Sequence, residues 1–412
     1  MTLRDGAAAP VTGSTRLVRR LNESLILDAL RLGPASRADL ARRTGLTTGT
    51  VSNLVARMAA RGLLSELGAG PSTGGRKPIL VQLESRARVA LGVHVSPESV
   101  EVVLADLLAR PLARKTAPLP VSQDPEEVCE RIRLLSGSVM ADAGVAMDRV
   151  LGLGAAIPAT VDVESGTVVV APNLPGWRNL PFKALLERRL RVPVLVDNDA
   201  NAAAHGELWC GMGSRYRDFV FVYADYGIGA GLVVNGHVYR GAGCAAGEIG
   251  HSVIDVNGPT CHCGRRGCLA TVAAGKYLAD RKAFGSVGEL LAAARLGKRE
   301  ALQRLEQGGR YLGVALANLI SVFSPEAIIL GGRLALECEV YREAAVQAAR
   351  REAYKPVPGH IDFPMSSLGD SACALGAATF ILESFFRPYT VTRPLPVGRS
   401  EGSPATPVVA RA

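Results

Sequence analysis

The chain has 412 residues, 48% of them hydrophobic, which is too long for one ordinary core and ample for globular folding. It contains no run of eighteen apolar residues and no apolar signal core near its start, so a membrane span and secretion are not expected and a cytoplasmic protein is. The net charge of +9 is uneven: residues 1–88 carry 14 Lys+Arg against 6 Asp+Glu, whereas residues 89–412 carry the other 33 and 32. A basic first fifth joined to a near-neutral remainder is the organisation of a nucleic-acid-binding module attached to a second unit.

Residues 1–20 read as a flexible basic arm. Leu21, Leu25, Ile26, Ala29 and Leu30 then recur at helical spacing, and Leu32-Gly33-Pro34 stops that helix. Ser36 is a good N-cap for a second helix, Arg37 to Arg43, which Thr44-Gly45 ends. Thr47 or Thr48 caps a third, in which Val51, Leu54, Val55 and Met58 form one apolar stripe. Three short helices with a glycine turn before the third make a helix-turn-helix pattern. Ser36, Arg37, Thr47, Thr48, Thr50, Ser52, Asn53 and Arg57 are the candidate contacts to double-stranded DNA, because small polar side chains reach phosphates and base edges without steric conflict. Leu63–Leu67 and Ile79–Leu83 read as two strands around GAGPSTGGRKP, a wing whose Arg76 and Lys77 form a thin cationic tip suited to a narrow A·T-rich minor groove. Residues 21–88 are therefore expected to form a winged helix-turn-helix domain.

From Val89 the texture changes to α/β. Residues 90–95, 99–107 and 112–119 read as successive strands, followed by a helix over about Pro125 to Ala143 and by strands at 150–157 and 192–199. A second strand set covers 219–241, and AIILGG at 327–332 is a further strand. The pattern predicts two lobes with a cleft between them: 89–200 plus about 370–386, and 201–369, with a disordered tail over 387–412.

The loops between these strands are polar. Asn173 sits in the rigid turn 172–177, and Asp197-Asn198-Asp199-Ala200-Asn201 lies where a strand meets a helix. Asn198 and Asp199 suit two neighbouring hydroxyls, and Glu248 and His251 add a carboxylate and an imidazole, so a carbohydrate pocket is expected. His251 also begins HSVIDVNGPTCHCGRRGC, where Cys261, Cys263 and Cys268 bring three thiols within eight residues. A Cys3His set with no carboxylate suits a tetrahedral structural zinc ion. The alternative of a disulfide is poor for Cys261 and Cys263, which are too close in sequence for an easy bridge. Cys129, Cys210, Cys244, Cys338 and Cys373 are scattered like ordinary thiols of a reducing compartment.

Four segments in order, PNLPGW at 172–177, DNDANAAAHGE at 197–207, GEIGH at 247–251 and CHCGRRGCL at 261–269, resemble the ROK family of repressors and sugar kinases over about residues 21–386. The resemblance implies an actin-like, hexokinase-like (ribonuclease H-like) α/β fold behind the winged helix-turn-helix. It implies zinc on His251, Cys261, Cys263 and Cys268, and a sugar held by Asn173, Asn198, Asp199, Glu248 and His251. It also implies a homodimer or a dimer of dimers.

In the family's kinases the residue matching Asp199 is the catalytic base, but their phosphate loops are altered in this chain. His94-Val95-Ser96-Pro97-Glu98 stands where they carry Asp-x-Gly-Gly-Thr, and Asp225-Tyr226-Gly227-Ile228-Gly229 where they carry Gly-Thr-Gly-Ile-Gly. Pro97 has no N–H for a phosphate, and Glu98 and Asp225 add anions. Ala270 replaces a sugar-contacting glutamate, and Ala159-Thr160 replaces part of a Pro-Gly-Pro turn. The expectation is a transcriptional regulator, a repressor of carbohydrate-metabolism genes, with a degenerate kinase domain as sugar sensor and no enzyme activity. An active kinase using Asp199 and an effector-independent DNA-binding protein are the alternatives.

Overall fold

The computed structural model describes residues 15–69, 78–354 and 361–387. The expected wing tip, Arg76 and Lys77, and the expected tail over 388–412 lie outside the described residues, as do the first fourteen residues of the arm. The rest of the arm differs from expectation: α1 (Thr15–Arg31) begins inside it, six residues before Leu21. Gly33, at φ 136°, ends the run, and β1 (Ala35–Ser36) leads into α2 (Arg37–Thr44) and α3 (Thr48–Ala60). β2 (Leu64–Ala69) and β3 (Ile79–Leu83) pair antiparallel, and β1 joins them on the free edge of β3. Val51, Leu54, Val55 and Met58 are buried as their spacing required.

The second unit opens with β4 (Val89–Val95), β5 (Ser99–Asp106) and β6 (Pro111–Pro118), then α4 (Pro125–Ala143) and β7 (Val150–Ile157). Three short strands follow, β8 (Thr160–Asp162), β9 (Thr167–Val170) and β10 (Arg178–Leu180), then α5 (Phe182–Leu190), β11 (Val194–Asn198) and α6 (Asp199–Cys210). The first large sheet runs β11-β7-β4-β5-β6, parallel except at β5, which pairs antiparallel with both neighbours. The chain then forms β12 (Phe219–Ala224), β13 (Ile228–Val234) and β14 (His237–Tyr239), and short helices α7 (Ala270–Ala273) and α8 (Gly275–Ala279). After α9 (Val287–Arg295) and α10 (Arg299–Phe323) comes β15 (Ala327–Gly331), parallel to β12, in a second sheet ordered β14-β13-β12-β15. α11 (Arg333–Glu337), α12 (Glu339–Glu352) and α13 (Ala372–Phe386) complete the described chain.

Two sheets and two helices set the geometry of the cleft. α13 packs on β4 and β7 of the first sheet, α6 packs on β12 and β13 of the second, and the two helices pack on each other. They approach so closely that a Cβ at Gly376 would stand 1.9 Å from the Ala202 carbonyl oxygen. The lobe boundary expected at residue 200 therefore falls inside α6, which leaves one sheet and serves the other.

The DNA module shares a core with this second unit. Ile26, Leu27 and Leu30 of α1 are buried in one apolar cluster with Ala90, Val103, Trp209, Ile381, Leu382 and Phe386. Each such side chain contributes about 1.5–3 kcal/mol when fully buried. The Arg31 guanidinium lies 4.3 Å from the Trp209 ring centre, and Arg387 ion-pairs with Asp28. The end of α6 thus sits under the first helix of the reading head.

Candidate functional site

The helices of the DNA module present part of the expected contact set. Thr47 and Thr48, at the start of α3, and Asn53 and Arg57 further along it, are exposed, and Thr50 and Ser52 are half-buried. Thr47 caps α3 by accepting from the Thr50 N–H at 3.2 Å. Ser36 takes the cap role expected of it and not the DNA role. It is 5% exposed, its hydroxyl accepts from the Asp39 N–H and its own N–H is held by the Asp39 carboxylate. This capping box uses the hydroxyl that a phosphate would need, so Ser36 is removed from the contact set. Arg37 is committed in the same way, donating to Glu66 of β2 at 2.7 Å.

Four donors converge after β14. Gly247, at φ 89°, lets the loop lie on β13, where a Cβ would stand 1.8 Å from the Ala230 carbonyl oxygen. His251 closes the short turn that follows, and the cysteine loop returns beneath it. The ligand atoms of His251, Cys261, Cys263 and Cys268 all lie within 4.8 Å of one another. His251 Nδ1 is 3.6 Å from Cys261 Sγ, and Cys263 Sγ is 3.7 Å from Cys268 Sγ. Those are edges of a tetrahedron around an ion at roughly 2.3 Å from sulfur and 2.0–2.1 Å from nitrogen. They are far longer than a disulfide bond of about 2.05 Å. Burial, with help from Arg265 and Lys276, lowers the pKa of His251 and favours the neutral imidazole that a metal needs.

A cleft of about 640 Å³ opens beside this centre. The sequence-identified residues Asn173, Asn198, Asp199, Glu248 and His251 all line it, together with the β4–β5 turn, the β12–β13 turn and Ala270. Each is held differently. Asn198 is the N-cap of α6: its carbonyl oxygen accepts from Ala200 and Asn201, and its amide donates to Ala159. Asp199 is 8% exposed and accepts from the Ala200 N–H, with its second oxygen 3.8 Å from His94 Nε2. His94 is buried, and its Nε2 has no hydrogen-bond partner within the described protein. Burial, and then the Asp199 charge, raise the pKa of Glu248 above the usual carboxylate range. Asp197 sits behind these groups in an ion pair with Arg240 at 2.7 Å.

Four cleft cations, Arg114, Arg265, Lys276 and Arg333, escaped the sequence reading of the site. Arg333, at the start of α11, makes paired hydrogen bonds to Asp225 of the β12–β13 turn at 2.6–3.0 Å and a further one to Glu98 of the β4–β5 turn at 2.5 Å. It thereby ties one lobe to the other. The anions expected to repel a phosphate at Glu98 and Asp225 are instead neutralised by this guanidinium. Lys276 donates to Asn173 Oδ1 at 2.9 Å. Its only sequence signal was a cation eight residues after the last cysteine.

The ROK family model matches residues 90–384. The chain belongs to the ROK family. In front of that domain, residues 19–71 match the MarR family model. This ROK chain is 30% identical to the xylose repressor of Bacillus subtilis (strain 168) over 373 residues, 89% of this chain and 96% of that one. It is 28% identical to the DNA-binding transcriptional dual regulator NagC of Escherichia coli (strain K12) over 385 residues, 90% and 94% of the two chains. The crystal structure of a ROK family transcriptional regulator, a homologue of the E. coli MLC protein, superposes with TM-score 0.74 at 24% identity, covering 90% of this chain and 97% of that one. A ROK glucokinase from Streptomyces griseus, solved with glucose and AMPPNP, gives TM-score 0.64 at 28% identity, covering 98% of its own length but 71% of this ROK chain.

Proposed function

We propose that this ROK protein is a DNA-binding transcriptional repressor of carbohydrate-metabolism genes whose cleft binds a sugar or sugar derivative without phosphorylating it. The MarR-type module supports the DNA half, together with the polar face of α3 and relatives named as a repressor and as a DNA-binding transcriptional dual regulator over nearly the whole chain. The observation that carries the non-enzymatic half is the Glu98–Arg333–Asp225 bridge. It joins the two turns that the family resemblance aligns with the phosphate loops of the kinases. Phosphoryl transfer depends on positioning and charge neutralisation of the nucleotide phosphates. In this chain the neutralising arginine already has two carboxylate partners, and Pro97 offers no N–H.

The metal at His251, Cys261, Cys263 and Cys268 is read as zinc: three thiolates and one imidazole at tetrahedral separations fill its coordination shell and leave no open position for chemistry. Its role is to hold the His251 loop against the cleft. Asn173, Asn198, Asp199, Glu248 and His251 are the proposed sugar contacts, and Thr47, Thr48, Thr50, Ser52, Asn53 and Arg57, with Arg76 and Lys77 of the wing, the proposed DNA contacts. The protein acts as a cytoplasmic homodimer or dimer of dimers, so that two reading heads meet the half-sites of an operator. Among the described residues no helix is long and apolar enough to cross a membrane.

The retained carboxylate of Asp199 favours one rival, an active kinase in which it takes the proton of a sugar hydroxyl. A coupled ATP assay over a sugar panel decides between them. The account expects no turnover above background, and turnover that disappears in Asp199→Asn would establish the kinase.

A further inference from the structure

We infer that the effector of this cleft carries an acidic group, and that Lys276 receives it. This rests on reading the cleft as a sugar pocket and narrows the class of sugar. The Lys276 ammonium lines the cleft and is held at a fixed place: Nζ donates to Asn173 Oδ1 at 2.9 Å and stands 3.3 Å from His262 Nδ1. The rings of Tyr277 and Tyr226 flank it, with centres 5.0 Å and 5.8 Å away. No carboxylate of the described residues ion-pairs with it. Of the other charged groups lining the cleft, Glu98 and Asp225 bind Arg333, Glu101 accepts from Ser371 and lies beside Arg114, and Arg265 lies against the Cys263 thiol; Asp370 also lines it. Asp199 has His94 Nε2 at 3.8 Å, with Glu248 close enough for their charges to interact.

An ammonium group carries three donor hydrogens and no acceptor, and its strongest partners are carboxylates and phosphates. Asn173 uses one donor and His262 Nδ1 stands in reach of a second, which leaves a third for a ligand in the cleft that Asp199 and the capped Asn198 also line. A ligand that meets both Lys276 and these hydroxyl-binding groups is a polyol with a negative charge at one end, either a sugar acid or a sugar phosphate. A neutral sugar leaves the ammonium to water, as it is without ligand, and gains nothing there.

The test is calorimetric titration of the zinc-loaded full chain with D-glucose and D-xylose, and with D-glucuronate, D-gluconate and D-glucose 6-phosphate. The expected result is that at least one acidic sugar binds about tenfold or more tightly than either neutral one, the gain of a single charge-assisted hydrogen bond. Whether the carboxylates or the phosphate ester give that gain identifies the source of the charge. Lys276→Met is expected to remove the gain, so that acidic sugars bind no more tightly than neutral ones, and Lys276→Arg to keep most of it. Metal analysis of each variant shows whether the cysteine centre is intact. A neutral sugar that binds as tightly as the best acid overturns the proposal on the native protein alone. Equal weakening of neutral and acidic sugars by Lys276→Met also overturns it, by making the lysine a support for Asn173. Binding of none of the five would overturn the sensor reading itself, and the proposal with it.

Discussion

Glu248 illustrates how a carboxylate of the cleft is held at a cost in stability. Its pKa is raised by burial and by Asp199, so its charged form is disfavoured in the folded state. The sign follows from linkage. Below the ordinary glutamate pKa of about 4.3 the group is neutral whether folded or not. As pH rises through its higher folded value, the folded state loses stability relative to the unfolded chain. Glu248→Gln is therefore expected to raise the melting temperature at pH 7 and to leave it unchanged near pH 4, while weakening sugar binding. A melting temperature lowered at pH 7 would contradict this. Arg333 works in the opposite sense. Replacing it by Ala leaves Asp225, only 6% exposed, without its counter-ion, and a loss of about 2–3 kcal/mol in urea unfolding is expected. A change under about 0.5 kcal/mol would mean that the bridge is an ordinary surface pair. At this scale the sequence singled out Asn173, Asn198 and Asp199 on strand-end loops, and the structure brings them into one cleft. The sequence was unreadable where the partner is distant: Arg333 meets Asp225 across 108 positions and Glu98 across 235, and Lys276 meets Asn173 across 103. Ser36 was read both as a cap and as a DNA contact because a serine before a helix suits either, and burial leaves it the cap.

Among the elements, α6 has the most consequential placement. It begins at the cleft with Asn198 as its cap and Asp199 in its first turn, and it ends at Trp209 beneath Arg31 of α1. Along its length it is locked to α13, with His205 between Thr379 and Glu383. A twelve-residue helix spans roughly 18 Å, so on this account a rigid-body shift at its capped end reaches the base of the first helix. Trp209→Ala is expected to leave sugar binding within about twofold and to abolish the effect of sugar on operator affinity, since the far end then has no grip on α1. Sugar response retained in that variant would sink α6 as the route. Gly376→Ala is expected to destabilise by about 2–3 kcal/mol, because its Cβ would meet the Ala202 carbonyl. The long strands and α4 were legible from alternation, β-branched residues and the Asp124–Pro125 start. β1, β8, β9 and β10 were not, being two to four residues long. The two-sided role of α6 was hidden because it is buried all round and has no amphipathic stripe to read.

At the scale of the whole molecule, three parts are joined without a loose linker among the described residues: a basic head, a sheet that shares its core, and a second lobe bearing the cysteine centre. The charge step at residue 88 and the order of polar motifs made this division legible before any coordinates. The shared core of α1, Trp209 and Phe386 did not show, because it is built from residues far apart in the chain. Removing the metal with a chelator is expected to release one zinc per chain, lower the melting temperature and erase the sugar response, since the His251 loop loses its anchor. The most direct test of the central claim is the affinity of the full chain for its operator fragment, read by fluorescence anisotropy while sugars are titrated in at fixed salt. The account predicts that one sugar class weakens operator binding by about tenfold or more, with no nucleotide present. Operator affinity that stays constant across all sugars would contradict it and leave a DNA-binding protein without an effector.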